Sequence, residues 1–589
     1  MGAGTARGGA CLLISGNVRK NMEFVVFAGV LLLLFIFMIV QELIQTKNQE
    51  KLFKKYLREN YGKEPPKEYS LERFARLGSY LERHKEEKQL DDITWNDLGM
   101  DEVFRRIDRT YSAAGEEYLY YTLRNISCGR EAMEHLEEVV NWLQEQEDIK
   151  VRIQLLMKRL GHLGKYSLYD YLDNLDYLGE RSNRKIVLGN LLYLPFLLLL
   201  FVQPAMGTIG IVLCMLWHIM TYFREKKVIE PYIISFAYVL RLIDVCEELE
   251  KQKIPVYRRE LDELREVLKS LRELRRGSYW VMAGNQGKIG GNPLDILADY
   301  LRMILHLDIF QFNRMLEKLR KKTGQVETML AITGYLDMAI SVGGFRKSLE
   351  GYCIPKLEED TEKAFLHMKK GWSQPVKNSI RADRGILLTG SNASGKSTFL
   401  KMVAVNAVLA QTIHTCAAES YHAPIFQIFS SMALRDSMEN GESYYIVEIR
   451  SLKRILDAAG ERRTPVLCFV DEVLRGTNTV ERIAAATQIL IRLAESGTLG
   501  FAATHDIEMT ELLKEYYDNY HFEEVIRDGD ILFPYQLLPG KASTRNAIRL
   551  LQMMGYEEQI IKKASGQAEN FLKTGKWINT PAAISEGTT

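Results

Sequence analysis

Hydrophobic positions fall along this 589-residue chain in three different patterns. The first is the unbroken run. Phe24 to Val40 is continuously apolar, and from Ile186 to Phe223 there is not one Asp, Glu, Lys or Arg. A helix of that length is near what a bilayer core requires. Gln203-Pro204 lies near the middle of the second run, where a turn would divide it into two arms. Both arms are apolar all round rather than along one stripe, which favours a transmembrane hairpin over a soluble helical pair. The second pattern is a three- and four-residue step. In "YRRELDELREVLKSLRELRR" it aligns Leu261, Leu264, Leu268 and Leu271, which predicts an amphipathic helix packed within a bundle. Residues 52–180, rich in Leu, Glu, Lys and Tyr and poor in Pro, read the same way. The third is the short buried strand, seen in "GILLT", "VLCFV" and "TLGFAATH", each followed by polar residues.

These patterns divide the chain into a short N-terminal segment (1–21), a transmembrane anchor (22–42) and a first helical region (52–180). The hairpin (186–223), a second helical region (228–370), an α/β domain (380–570) and a polar tail (573–589) follow. Basic residues orient the spans. Arg181, Arg184 and Lys185 precede the hairpin and Arg224, Lys226 and Lys227 follow it, while its turn has none. The positive-inside rule then puts both flanks in the cytoplasm. Lys47, Lys51, Lys54, Lys55 and Arg58 after the first span place the short N-terminus outside. The expectation is a multi-pass plasma-membrane protein whose large soluble parts are cytoplasmic. A signal peptide is the rival reading of the first run, but no A-x-A-like site follows it. Met22 is an alternative start.

Composition narrows the chemistry. Lys plus Arg (77) and Asp plus Glu (76) nearly cancel, so any nucleic-acid surface is local. The seven cysteines show no C-x-x-C pair and no metal-ligand spacing, which points to free thiols and no structural metal. "AGNQGKIGGNP" lacks a strand before it and a helix after it, and reads as a turn.

"GILLTGSNASGKSTFLK" has that context: an apolar strand, then Gly390-x4-Gly395-Lys396-Ser397, then a helical run. Glycines let successive backbone N–H groups converge on phosphate oxygens, and the helix N-terminus adds partial positive charge. Gly390, Asn392, Ser394, Gly395, Lys396, Ser397 and Thr398 are the expected phosphate-binding positions, for ATP with Mg²⁺. Lys396 supplies charge to the β and γ phosphates, and Ser397 is a magnesium ligand. The strand of "PVLCFVDEVLRGTNT" ends in Asp471-Glu472, where Asp471 can hold the Mg²⁺ and Glu472 can polarise the attacking water. His505 closes the third strand, within reach of a γ-phosphate.

Five segments in order resemble the ATPase domain of the MutS family of DNA mismatch-repair proteins, within the ABC-type ATPase superfamily. "TGSNASGKST" is similar to T-G-P-N-x-x-G-K-S-T, with Ser391 in place of proline. "ENGESYYIVEI" looks like G-x-S-x-F-x-x-E-M at Ser443 and Glu448, and "VDEVLRGTNT" like D-E-x-x-R-G-T-S-T at Asp471, Glu472, Arg475, Gly476 and Thr477. "ATHD" looks like A-T-H-Y, and "FPYQLLPGKASTRNA" matches the first half of a final segment. Upstream, "WNDLGMDEVFRRIDRTYSAAGEEYLYYTLR" and "LAITGYLDMAISVGGFRKSLEGYCIPKL" are similar to the helical core that precedes this ATPase. The resemblance implies a P-loop ATPase domain behind an all-α core or lever interrupted by the hairpin. It also implies a homodimer with composite sites, in which Ser443 of one subunit faces the phosphate loop of the other and Gly476 and Thr477 form a D-loop.

DNA as a partner follows from the resemblance and not from the residues. No Phe-x-Glu wedge occurs upstream of the hairpin, and the first span occupies the region where a mismatch-recognition domain would sit, so sensing of mispairs is unsupported. The alternative is an ATP-driven membrane machine, or a transporter-like ABC ATPase, that does not act on DNA. Against transport, three spans with almost no polar lining offer little wall for a path. Against a passive ATP-operated clamp, both Lys396 and Glu472 are present.

Overall fold

The computed structural model describes residues between 37 and 577, apart from 38–39, 42–43, 65–68, 87–88, 127–128, 164–166, 273–299, 360, 362, 374–375, 392–393, 433–443, 462–463, 475–476, 528–529 and 543–546. The expected anchor (22–42) falls almost wholly outside these residues, as do the 1–21 segment, "AGNQGKIGGNP" and most of the tail. What is described is mostly helical, with a mixed α/β region towards the C-terminus.

The helical part is built around one buried rod. Helices α1 (Asp92–Leu98), α2 (Ala113–Arg124) and α3 (Arg130–Glu145) precede the apolar run, and α4 (Pro204–Glu250), α5 (Leu307–Leu319) and α6 (Thr323–Ser348) follow its turn. Helix α6 is long and apolar enough to cross a membrane, yet 83% of its apolar window is buried inside the protein. It is the core helix, packed against α2 and α3. At Gly334 a Cβ would stand 2.6 Å from the Ala114 carbonyl oxygen, so glycine permits the close approach of α6 to α2. A buried carboxylate there is satisfied: Asp337 accepts from Ser112 N (2.8 Å), Ser112 Oγ (2.6 Å) and Tyr111 N (3.0 Å), beside the N-terminus of α2. The amphipathic segment forms a helix, Arg258–Leu271, and buries Leu261, Leu264 and Leu271 within the protein.

The charge-free run turns where the sequence placed the turn. Gln203 leaves helical geometry (φ −138°, ψ 86°), and Pro204 occupies the first turn of α4, where its missing N–H is harmless. The stretches Arg184–Val202 and Pro204–Glu230 are each long and apolar enough to cross a membrane, and only 6% and 28% of their windows are buried. Leu198, Phe201, Val202 and Met220 stand largely exposed. The second arm does not end at Phe223. Helix α4 runs on to Glu250, about 70 Å in all, and Phe236, Leu242, Val245 and Leu249 enter the core.

The α/β region contains two main sheets. Strands β1 (Lys356–Glu358), β2 (Leu366–Ser373), β3 (Val376–Ala382) and β5 (Ser420–Pro424) make a four-stranded sheet ordered β1-β5-β2-β3. Thus β1 and β2 begin inside 228–370, the stretch expected to be helical. The residues of β3 alternate buried and exposed, but one buried position is the polar Asn378, which hides the two-residue period in the sequence.

The six-stranded sheet uses β4 (Gly385–Thr389), β6 (Gln427–Ser431), β7 (Val466–Asp471), β8 (Leu499–Ala503), β9 (Tyr517–His521) and β12 (Leu538–Pro539), ordered β12-β9-β4-β8-β7-β6. A small hairpin, β10 (Val525–Arg527) and β11 (Asp530–Leu532), stands apart. All pairs in the larger sheet are parallel except β12 with β9. Strands β4 and β8 are fully buried, as fits parallel strands covered on both faces. Helix α7 (Lys396–Thr412) follows β4 and is buried along most of its length. Helices α8 (Tyr444–Gly460) and α9 (Thr479–Glu495) follow in the chain.

Candidate functional site

Register brings three strand ends to one line. Leu388 of β4 and Asp471 of β7 both pair with Ala503 of β8, so the carboxyl ends of these neighbours, at Thr389, Asp471 and Ala503, finish within one residue of each other. The next residues, Gly390, Glu472 and Thr504, therefore emerge together, at the edge where ligands of parallel α/β sheets gather. Cross-links hold the edge: Glu472 N donates to Ala503 O (2.9 Å) and Thr504 N to Leu388 O (3.0 Å).

The loop after β4 needs its glycines. Gly390 has φ +141° and a Cβ there would stand 2.5 Å from Phe522 O, while Gly395 has φ +105°. Both lie in the region that side chains disfavour. Ser394 turns the loop by donating from Oγ to Ser391 O (2.7 Å), and is itself buried. Lys396 then opens α7. Its side chain is almost fully buried, and Nζ donates to Gly390 O (2.8 Å) and Ser391 O (2.9 Å). Burial lowers the ammonium's pKa, while Asp471, Glu472 and Glu524 act to raise it. Ser397 and Thr398 lie exposed on the first turn. Asn392 lies outside the described residues.

The acidic strand end meets this loop directly. Ser397 Oγ donates to Asp471 Oδ2 at 2.5 Å. Burial raises the Asp471 carboxyl's pKa and the Glu472 charge raises it further, against lowering by Ser397, Lys396 and His505. Glu472 adopts φ +56°, a conformation in which a non-glycine residue stores strain, and one found often at functional sites. Its Oε1 is 2.6 Å from His505 Nε2, which lies 3.4 Å from Lys396 Nζ. Arg482 of α9 clamps Asp506 next to that histidine, with Nε to Oδ2 at 3.0 Å and Nη2 to Oδ1 at 2.6 Å. Lys396, Ser397, Asp471, Glu472 and His505 thus form one cluster, although 109 positions separate its ends.

Three participants went unread in the sequence. Glu524, nearly buried, accepts from Ser391 Oγ (3.1 Å), the serine that stands in place of the motif's proline. Tyr535 lays its ring against Gly395, 2.9 Å from where a Cβ would be. Its carbonyl is anchored by Asn378 Nδ2 (2.9 Å). Neither residue belongs to a pattern that spacing reveals, because both lie in irregular chain after β9. Glu448, noted only as a motif match, accepts from the Leu474 N–H and so braces α8 against the acidic strand end. Ser443 immediately precedes α8 but lies outside the described residues, as does Gly476. Thr477 Oγ1 donates to Leu474 O (2.9 Å), closing the turn after Glu472.

The site suits a magnesium nucleotide on two observations. A Cβ at Gly390 would crowd Phe522 O and Ser394 Oγ and one at Gly395 the Tyr535 ring, so the loop keeps bare backbone at both points, and the donor set (ammonium, hydroxyl, half-buried carboxylate) matches phosphate and a hard cation. Lys396, Ser394 and the loop amides would hold the phosphates, and Ser397 with Asp471 the cation.

Residues 386–572 match the family MutS domain V. A DNA mismatch repair protein MutS from Thermus thermophilus is 33% identical over 180 residues, 30% of this chain and 22% of that protein. A protein of the same name from Natronomonas pharaonis is 28% identical over 301 residues, 48% of this chain and 33% of that protein. A DNA mismatch repair protein MutS 2 from Haloarcula marismortui is 32% identical over 182 residues, 30% of this chain and 19% of that protein. The chain thus spans about a fifth to a third of the length of these relatives.

Proposed function

The chain belongs to the MutS family through a domain V at residues 386–572, and from that premise we propose that it is a membrane-anchored, Mg²⁺-dependent ATPase working as a homodimer. The observation that carries this reading is the contact of Lys396, Ser397, Asp471, Glu472 and His505 at one sheet edge. When bound, Mg²⁺ and ATP supply charge neutralisation and the phosphoryl group. Lys396, whose Nζ now donates to two loop carbonyls, would supply its charge to the phosphate oxygens. Ser397 and Asp471, now hydrogen-bonded to each other, would hold the cation. Glu472 orients the attacking water and accepts its proton, and His505, held at Glu472 Oε1, is near enough to follow the γ-phosphate. Tyr535 offers a ring face beside the loop for the base.

Helix α7 gives this chemistry an output. It begins at Lys396 and ends at Thr412, about 25 Å away, where the chain at 413–415 is held by Arg346 of the core helix α6. A change at the phosphate loop therefore bears on the helical core. In the dimer that the family resemblance implies, Ser443, which precedes α8 in the sequence, is the residue that would meet the partner's phosphate loop. The hairpin at 186–223 lies in the bilayer, with the ATPase on the cytoplasmic side.

The DNA mismatch repair names of the relatives support DNA as a partner. A second reading, in which the ATPase drives a membrane-coupled change without DNA, is favoured by the continuity of α4 from the hairpin turn into the core. ATP turnover of the detergent-purified full chain, with and without matched or mispaired duplex at stated salt, separates the two. Stimulation by duplex supports the first. Turnover indifferent to duplex supports the second.

A further inference from the structure

At the base of the apolar hairpin, where charge returns to the sequence, the two arms and the start of α5 enclose a cavity of about 430 Å³. That is ample for a ligand of headgroup size. Arg181, Lys185 and Arg224 line it, against the carboxylates of Glu180 and Glu225. Arg181 pairs with Glu225 (Nη1 to Oε2, 3.2 Å), while Lys185 and Arg224 stand exposed with no ion pair among the described residues. The mouth therefore has unspent positive charge.

Residues of the wall carry, just beneath its surface, polar atoms that the protein leaves unsatisfied. His218 is 1% exposed and its Nδ1 faces His306 Nδ1 at 3.3 Å, but its Nε2 finds no hydrogen-bond partner. Asn183 Nδ2 donates to Phe310 O (3.0 Å), which fixes Asn183 Oδ1 as the acceptor for Asn313 Nδ2 (2.9 Å). Asn313, 7% exposed, is left with Oδ1 unpartnered, and Arg181 Nε is likewise unpartnered. Buried polar atoms without partners are costly enough that each calls for a ligand or a water. Two of them can bond a hydroxyl: the amide oxygen accepts from it, and the imidazole nitrogen accepts from or donates to it according to the tautomer set at the His218–His306 contact. The third, with the cations at the mouth, donates to an anion.

Resting on the membrane reading above, we propose that this cavity binds the hydroxylated phosphate headgroup of an anionic phospholipid. The phosphate sits among Arg181, Lys185 and Arg224, and the headgroup hydroxyls reach towards His218 and Asn313. The position fits. Trp217, half exposed on the lining, is the residue type that settles at the membrane–water boundary, and exposed Leu188, Leu213 and Met220 on the same two helices offer apolar surface to the acyl chains. Because Asn313 is on α5 and His218 and Arg224 are on α4, an occupied cavity joins the hairpin to the core.

The test uses the full chain extracted into neutral detergent from bilayers of phosphatidylcholine mixed with phosphatidylglycerol, with retained lipid counted by native mass spectrometry. The expected result is selective retention of phosphatidylglycerol, about tenfold weaker in Lys185→Gln/Arg224→Gln, whose two sites are exposed and safe for folding. Glu225→Gln, which releases Arg181, should strengthen it. Equal retention of both lipids, or retention indifferent to these substitutions, overturns the proposal. Binding of free glycerol 3-phosphate with the same mutational dependence, but no retained lipid, would overturn the lipid source and assign a soluble phosphate ligand. Resistance of the chain to alkaline extraction from membranes is scored separately. A chain that washes out defeats the membrane reading itself, whereas one that stays but retains no anionic lipid defeats only this inference.

Discussion

Arg346 Nη1 and Nη2 grip the two carboxylate oxygens of Glu137 at 3.0 and 2.8 Å, in a pair whose guanidinium is wholly inaccessible to solvent. The same guanidinium donates to Thr415 Oγ1 (2.9 Å) and His414 O (3.1 Å). One side chain therefore ties α3, α6 and the chain leaving α7. Arg346→Ala is expected to destabilise the soluble part by about 3 kcal/mol, because it strips the guanidinium from a half-buried carboxylate that keeps only His414 and Asn141, and leaves a backbone carbonyl unpaired. Chemical denaturation in detergent measures this. Arg346→Lys should restore little, since it loses the two-pronged geometry.

Two carboxylates predict opposite pH responses. Burial acts to raise Glu137, but hydrogen bonds from His414 and Arg346 outweigh it and hold the carboxyl at about 2, below the ordinary 4.5. Its contribution is present above 4.5 and lost as pH falls towards 2. Burial pushes Glu117 up to about 8, against a 2.9 Å hydrogen bond from Ser167 Oγ. Its contribution is complete below 4.5 and lost as pH rises through 8. Melting curves between pH 2 and 9 should show Glu117→Gln removing a loss of stability as pH rises from about 4.5 to 8, and Glu137→Gln removing one as pH falls from about 4.5 towards 2.

At the candidate site, the raised pKa of Asp471 means that its charge is held at a cost in the nucleotide-free protein. Asp471→Asn should therefore raise the melting temperature without ligand at neutral pH, an advantage that shrinks as pH falls. The same substitution should abolish the added stabilisation by ATP with Mg²⁺. A variant less stable than the parent, yet still stabilised by Mg²⁺, would argue against a cation at Asp471.

The dimer is tested by trapping. Glu472→Gln keeps the shape of the strand end and removes the base, so ATP should bind and persist. Light scattering in detergent with ATP should then report a doubled mass. A variant that stays monomeric would remove the composite-site reading.

Legibility in the sequence followed the range of the interactions. The strand–loop–helix around Lys396 and the turn at Gln203-Pro204 are local patterns, and the structure has strand, glycine loop and helix in that order and helices on either side of the turn. The apolar run and the helix that carries it end at different places. Charge returns at Arg224, which marks the edge of an apolar run but not the end of a helix, and α4 continues 26 residues beyond it, to Glu250. Strands β1 and β2 were hidden for a related reason: "LHMKKGW" carries adjacent lysines, and the register between β2 and β3 shifts between Met368 and Gly371, which breaks the alternation. Glu524 and Arg346 could not be read at all. Ser391 meets Glu524 133 positions away and Arg346 meets Glu137 209 away, and only the folded backbone brings such residues together.

The central claim is hydrolysis of ATP by the cluster at the sheet edge. Phosphate release by the detergent-purified full chain, compared with Lys396→Ala and Glu472→Gln at saturating ATP and Mg²⁺, tests it most directly. The account predicts Mg²⁺-dependent turnover by the parent chain, about a hundredfold loss or more in Glu472→Gln with nucleotide still bound, and loss of binding in Lys396→Ala. Turnover that survives Glu472→Gln, or no nucleotide binding by the parent chain, would contradict it.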